Sequence, residues 1–528
     1  MTTHKALENY KGRLKKKLEL ALSHNDIQAC THIGKLLVEI PELDAKAWLL
    51  LSEVYRRTKR TEDALDAIDK GLKLQPNHPH HVAQQAFCLL SNGNFSDLIP
   101  ALRHAKELNI QDTWSLDILG TSSASIDEHT LAIHFFTKAT KIAPSVLRFR
   151  HNLAMSQIAL GRTIEAEKNF RNIIKESPSS GKAYWGLSLI DRCKSSDLKD
   201  LIKIANSESS TEEEKVFARF SLGSLLEKNK NFEESFKYYK LGNDSKRRQI
   251  KFSIHEEKNK FSKIKQTFNK DWISNKESGN QTDQVIFICG LPRTGTTLIE
   301  RMLSSHSSVT PYGELRNFGI ALKKLCERPL NLDYDLDTIH ASAKLPMQQL
   351  GETYLSSIPK DDNHTTHIID KNPFNFLYIP LIAKSLPNAK IIHMTRDPMD
   401  TCFSNYKQLF SAVAFYSYDL EELAEYYLLY RNLTEYWEQQ LPSQVTRISY
   451  ENLIENPKRE LEKLLGFCEL QWEDECLNHP NTKSQVATAS AMQARKPIYH
   501  SSVGKWKAYQ KFLSSALDIL IQAEIKLN

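Results

Sequence analysis

Apolar positions in the first half of the chain follow a pattern that repeats every 34 residues. Small residues recur at Ser52, Ala86, Gly120, Ala154 and Ser188, with leucine directly before four of them, at Leu51, Leu119, Leu153 and Leu187. Twelve positions further on stand Ala64, Leu98, Ala132 and Ala166, and four beyond those Ile68, Leu102, Phe136 and Phe170. Repeat ends carry Pro76, Pro144 and Pro178, with Ile110 the exception. This spacing predicts pairs of antiparallel helices. The small residues let the two helices approach, the large ones fill the seam, and proline stops the second helix before the turn. Four clear units run from about 45 to 178, weaker ones follow near 181–214 and 216–249, and helices up to residue 44 cap the stack.

After residue 250 the period changes. A stretch rich in Lys, Asn, Ser and Gln (250–282) reads as a helical connector followed by a loop. Gln284-Val-Ile-Phe-Ile-Cys289 then has the length and β-branched content of a buried strand. It runs into Gly290-Leu-Pro-Arg-Thr-Gly-Thr-Thr297 and from there into a helix through Leu298–Leu303. A strand over Ala389–Thr395 follows, leading through Arg396-Asp-Pro-Met-Asp400 into a helix that carries Ser404. The expected fold is α plus α/β: helical repeats over 1–250, a connector over 251–282, and a P-loop-like domain with a mainly parallel sheet over 283–528.

Composition narrows the class. The chain has 528 residues, of which 41% are apolar and 25% charged, the balance of a globular protein with more than one core. Only 18 residues are glycine, in keeping with a helix-rich chain. The net charge, 70 − 64 = +6, gives only slight support for an anionic ligand. No run approaches the ~20 apolar residues of a membrane span, and the N-terminus lacks the apolar core of a signal peptide. None of the eight cysteines forms a Cys-x-x-Cys pair, so neither a zinc site nor a disulfide framework is indicated. Reduced thiols and a cytoplasmic location are expected. The basic run Lys11–Lys17 has no aromatic interleaving and reads as a solvated helix face, so no nucleic-acid partner is expected.

Candidate chemistry gathers after the first strand. A strand, a glycine-bearing loop and a helix aim backbone N–H groups and a positive helix end at an anion. Gly290-(x)4-Gly295 has the spacing of a nucleotide-binding P-loop, yet Thr296 stands where the phosphate-clamping lysine belongs, and Arg293 supplies the cation instead. Arg396 at a strand end and Ser404 two turns into the next helix can grip one phosphate together. The competing use of Arg396 is as the ion-pair partner of Asp397 or Asp400, the less favoured of the two readings. His306 reads as a turn residue, and the tyrosines around 415–430 as core rather than an acceptor pocket.

The 34-residue pattern, with Trp48 and Tyr55 in its first unit, resembles the tetratricopeptide repeat. Such repeats commonly offer a groove to a peptide or protein. Bracing of the neighbouring domain, or self-association as a homodimer, is the competing use. The second half, over about 283–510, resembles the sulfotransferases that use 3′-phosphoadenosine 5′-phosphosulfate, and within them the tyrosylprotein sulfotransferases and the repeat-bearing bacterial enzymes. The resemblance implies a loop for the 5′-phosphosulfate made of Pro292, Arg293, Thr294, Gly295, Thr296 and Thr297, and a 3′-phosphate clamp of Arg396 and Ser404. Tyr312-Gly-Glu-Leu-Arg316 matches the family's Glu-x-Arg segment, implying Glu314 as general base with Arg316 beside it, toward the acceptor. Lys371 matches the lysine set against the sulfuryl group, where with Arg293 it would stabilise charge on the leaving phosphate. Tyr450 matches a tyrosine beside the nucleotide. Ser502-Val-Gly-Lys-Trp506 matches the segment that closes over it, implying roles for Lys505 and Trp506.

Two departures from the tyrosine-sulfating enzymes weaken tyrosine as the acceptor. Gly504 stands where they carry serine before Lys-Trp, with Ser502 the other candidate for that serine's catalytic part, and Gln408 stands where they carry arginine. The implied activity is sulfuryl transfer to a hydroxyl, on a protein or peptide, with no metal and with 3′,5′-adenosine bisphosphate as product. A carbohydrate or small-molecule acceptor, a nucleotide kinase or NTPase, and a non-catalytic scaffold are the alternatives.

Overall fold

In the computed structural model, described over residues 2–275, 279–282, 284–330, 334–359, 365–410, 413–481, 494, 497–498 and 500–527, the predicted periodicity becomes helix pairs. First helices start at Ala45, Pro79, Thr113, Leu147 and Gly181, each 34 residues after the last. Their partners start at Thr61, Phe95, His129 and Thr163, in the same step. Asp44, Asn94, Asp112 and Ser180 cap helix starts by accepting from an amide three residues on. The seam is the expected one: Ser52, Ala86, Ala154, Ala64, Leu98, Ala132, Ile68, Leu102 and Phe170 are fully buried. Ser52 also donates from Oγ to the Ala64 carbonyl at 2.8 Å, tying one helix of the first pair to the other. Two helices, Thr2–Ser23 and Ile27–Val38, precede the repeats.

The basic run near the N-terminus departs from expectation at one residue. Arg13, Lys16 and Lys17 are exposed, but Lys11 is buried. Its ammonium donates to Glu8 and to the Glu42 carbonyl, so its charge is satisfied while its stem packs.

By compactness the chain forms two units, the first centred on Met1–Ser156 and the second holding most of Gln157–Asn528. The second contains a five-stranded sheet: β1 (Val285–Cys289), β2 (Val309–Pro311), β3 (His367–Lys371), β4 (Lys390–Thr395) and β5 (Val445–Ser449). Its order is β2-β3-β1-β4-β5 and every pairing is parallel. β1 is buried along its whole length, as its unbroken apolar run requires of a central strand covered on both faces. Helix Thr296–Leu303 packs Ile299, Met302 and Leu303 into a core shared with Ile286, Ile288 and Ile369 of the sheet. The same second unit includes the hairpin of helices Glu212–Lys228 and Phe232–Gln249.

Seven of the eight cysteines are buried, and Cys326 is partly buried. The tyrosines at 416, 418, 426, 427 and 430 are core, with Tyr416 stacked on Tyr426 at 3.7 Å between ring centres. Among the described residues no helix is long and apolar enough to cross a membrane.

Candidate functional site

Every strand of the sheet delivers a residue of interest at its carboxyl end. In an open parallel sheet the crevice lies there, outside the strand ends and beside the central strand. β1 leads into the Gly290 loop, β2 into Glu314, β3 ends in Lys371, β4 precedes Arg396, and β5 precedes Tyr450. These residues, scattered over 160 positions of sequence, therefore share one edge.

The loop is held tightly. Thr294 donates from Oγ1 to the Leu291 carbonyl at 2.8 Å, Gly290 N–H donates to the Pro373 carbonyl, and Asn405 Nδ2 donates to the Pro292 carbonyl at 2.7 Å. Arg293 has φ +72, an uncommon left-handed backbone for a residue with a side chain. Gly295 has φ +104, and a Cβ there would lie 2.7 Å from the Tyr450 ring, so the close approach of Tyr450 requires glycine. Pro292, Thr294, Thr296 and Thr297 are buried.

Opposite the loop, Arg396 is almost enclosed. Nη1 donates to the Arg293 carbonyl at 3.0 Å and lies 3.4 Å from Ser404 Oγ. Nη2 donates to the Ser502 carbonyl at 2.5 Å, and the guanidinium lies over the Tyr450 ring at 5.0 Å. Ser502 Oγ and Tyr450 OH are 2.7 Å apart. The structure thus gathers Arg293, Arg396, Ser404, Tyr450 and Ser502. Ser502 sits on the Arg396 side, and its hydroxyl is engaged by Tyr450. Tyr450 itself opens the helix Tyr450–Glu455, one residue past the strand.

Two N–H donors at this site, Arg396 Nε and Trp506 Nε1, are buried with no hydrogen-bond partner among the described residues. Orphaned buried donors are costly unless an acceptor supplies the missing bond. A phosphate or nucleotide oxygen would do so, so the residues fit a phosphorylated nucleotide. Lys505 is exposed at the edge of the same segment.

A second cluster lies at β3. Lys371 is fully buried, and its ammonium donates to Glu314 Oε1 at 2.7 Å, with Glu300 Oε2 at 3.8 Å. The Glu314 segment is bound to β3 by Tyr312 N–H to the Ile369 carbonyl and Lys371 N–H to the Gly313 carbonyl. Glu314 keeps 44% of its side chain exposed, so the carboxylate is reachable from solvent. Arg316 directly precedes the helix Asn317–Leu325, is exposed, and forms no ion pair with Glu314 among the described residues. Behind Lys371, the Asp370 carboxyl is pushed up to about 7 by burial, while Tyr354 and Asn375 donate to it. Helix Thr296–Leu303 joins the two clusters, its N-terminus at the loop and Glu300 toward Lys371.

Sequence reasoning did not single out Glu300, Asn405 or Glu451, and it took Asp400 only as an ion-pair partner of Arg396. Glu451 accepts the Asp397 N–H at 2.9 Å. Asp397 in turn caps the helix Pro398–Tyr406.

A glycine-bearing strand–loop–helix at the centre of a parallel sheet, facing an arginine at the next strand's end, defines a P-loop-like α/β domain. The sulfotransferase family matches residues 285–474, and a tetratricopeptide repeat matches residues 45–78. Residues 285–474 are thus similar to the sulfotransferase family, and they follow a segment similar to a tetratricopeptide repeat. An uncharacterized protein of Aquifex aeolicus (strain VF5) is 30% identical over 414 residues, 75% of this chain and 53% of that protein. Protein-tyrosine sulfotransferase 1 of Danio rerio is 25% identical over 246 residues, 43% of this chain and 66% of its own length. The chain thus spans about half the length of the bacterial relative. The sulfotransferase domain of the Synechococcus PCC 7002 olefin synthase aligns with 17% identity and a TM-score of 0.36, covering 48% of this chain and 98% of that one.

Proposed function

We propose that this chain transfers a sulfuryl group from 3′-phosphoadenosine 5′-phosphosulfate to an acceptor hydroxyl, on a protein or peptide. The observation that carries the reading is Arg396: a buried guanidinium beside Ser404 and the loop, with a donor atom lacking an acceptor. In this reading Arg396, Ser404 and Tyr450 hold the 3′-phosphate end, and the loop from Pro292 to Thr297 holds the 5′-phosphosulfate. Lys505 and Trp506 border the nucleotide. The donor supplies the sulfuryl group and a phosphate leaving group. Glu314 accepts the proton as the acceptor oxygen bonds to sulfur, and Arg316 lies on the acceptor side. As the sulfur–oxygen bond to the 5′-phosphate breaks, Lys371 and Arg293 balance the charge passing to the departing adenosine bisphosphate. Lys371 is suited to this because it is buried, where an oriented charge acts with little screening.

A protein or peptide acceptor is favoured by the similarity to proteins named protein-tyrosine sulfotransferases and by the repeats, an architecture that recruits peptides. The test is calorimetric titration with 3′,5′-adenosine bisphosphate and with Mg-ATP, on the wild type and on Arg396→Ala. We expect the bisphosphate alone to bind, its affinity to fall at least about tenfold in the variant, and turnover to persist in a chelator. Preference for Mg-ATP, or indifference to Arg396, would sink the proposal.

A further inference from the structure

Asp400 is a carboxylate with 1% exposure, in the first turn of the helix Pro398–Tyr406 that follows Arg396. A buried carboxylate must be compensated, and here both oxygens are used by backbone amides far along the chain. Oδ2 accepts the Gly504 N–H at 2.6 Å, and Oδ1 accepts the Trp506 N–H at 3.2 Å. Gly504 has φ +71, so the turn that presents both amides to one carboxylate passes through a left-handed residue. The same turn delivers the Ser502 carbonyl to Arg396 and the Ser502 hydroxyl to Tyr450. Charge-assisted bonds from backbone N–H to carboxylate are stronger than neutral ones and fix position as well as energy.

We propose that Asp400 is a positioning residue whose carboxylate latches the Ser502–Trp506 turn onto the helix that follows Arg396 and bears Ser404, completing the site for the nucleotide's 3′-phosphate. The proposal rests on the donor reading above and adds the residue that assembles the site.

Charge alone makes the opposite prediction, which sharpens the test. Asp400 Oδ2 lies 3.9 Å from Arg396 Nη2, so neutralising it would strengthen the attraction of the clamp for phosphate. The latch requires weaker binding instead. Asp400→Asn keeps the shape but places an amide NH2, which cannot accept, against one of the two backbone donors.

The experiment titrates wild type and Asp400→Asn with 3′,5′-adenosine bisphosphate and with adenosine 5′-phosphate, and follows amide hydrogen exchange at Gly504 and Trp506. We expect the variant to lose about tenfold in bisphosphate affinity, to hold adenosine 5′-phosphate within about twofold, and to lose protection at both amides. Asp400→Glu, which keeps an acceptor-only carboxylate, should recover part of the bisphosphate affinity. Equal weakening of both nucleotides would mean general damage and overturn the latch. So would unchanged or tighter bisphosphate binding, or protection unchanged in the variant. A wild type indifferent to the 3′-phosphate would overturn the donor reading instead, while the exchange data on the protein alone would still decide the latch.

Discussion

At the scale of single residues, the most constrained charge is Lys371. A fully buried ammonium survives only with compensation, and Glu314 and Glu300 supply it from two different elements. The neighbouring Asp370 is compensated differently. Burial raises its carboxyl to about 7, although Tyr354, Asn375 and the Lys371 charge all favour the anion, and Glu300 opposes it. Between the ordinary value of 3.8 and about 7, the folded state therefore holds a proton that the unfolded chain has released. Stability must then fall as pH rises through that window, because the folded state binds more protons. Asp370→Asn imitates the protonated form: its oxygen accepts from Asn375, and its NH2 donates to the Tyr354 oxygen. The variant should melt with the wild type near pH 4.5 and above it near pH 8. Thermal unfolding at both pH values checks this, and a constant difference between the two proteins would refute the assignment.

At the scale of elements, the repeats are held by helix–helix contact at small residues, and two glycines separate packing from propensity. A Cβ on Gly186 would lie 2.3 Å from the Phe170 ring, whereas one on Gly34 would meet only Val54 and Leu51 at 3.5 and 3.7 Å. Gly34→Ala should stabilise by about 0.5–1 kcal/mol through helix propensity, and Gly186→Ala should destabilise by about 1–3 kcal/mol through overpacking. Chemical denaturation of both variants tests this, and stabilisation by both would show that the seam tolerates a methyl group. The contrast also marks what sequence could convey. A 34-residue step is local information, and helices starting at Ala45, Pro79, Thr113, Leu147 and Gly181 follow it directly. β1 and β4 were legible because each is a short apolar run feeding a loop, and β3 through the family resemblance around Lys371. β2 was not: three residues are too few to show alternation, and only pairing with β3 defines it. The loop, Arg396 and Lys371 were legible as charges at strand ends. The Asp400 contacts were not, because a carboxylate bound to amides 104 and 106 positions away leaves no periodic trace.

At the scale of the whole molecule, the last helical hairpin is bound into the α/β unit by side chains rather than by chain connectivity alone. Asn243 donates to the Tyr406 carbonyl at 3.0 Å, at the end of the helix that bears Ser404. Arg247 makes a two-pronged bond to Glu422, and Phe236 stacks on Phe512 with ring centres 4.9 Å apart. The central link is Glu227 with Lys407, whose ammonium meets both carboxylate oxygens at 2.8–2.9 Å. Burial lowers the proton affinity of Lys407. The Glu227 charge opposes this, and Lys505 and Arg293 add to it. Glu227 is thus what keeps a cation stable in an already cationic corner of the site. Removing it strands Lys407, and with exposures of 16% and 22% the cost should be about 2–3 kcal/mol, the low end for breaking a buried pair. Lys407→Met should cost a similar amount by stranding Glu227. The double variant Glu227→Gln/Lys407→Met should then lose less than the sum of the two, with a coupling of about 1–2 kcal/mol in a double-mutant cycle. Full additivity would mean that the pair contributes nothing to joining the hairpin to the α/β domain, and that Asn243, Arg247 and the apolar contacts of Phe236 hold it in place.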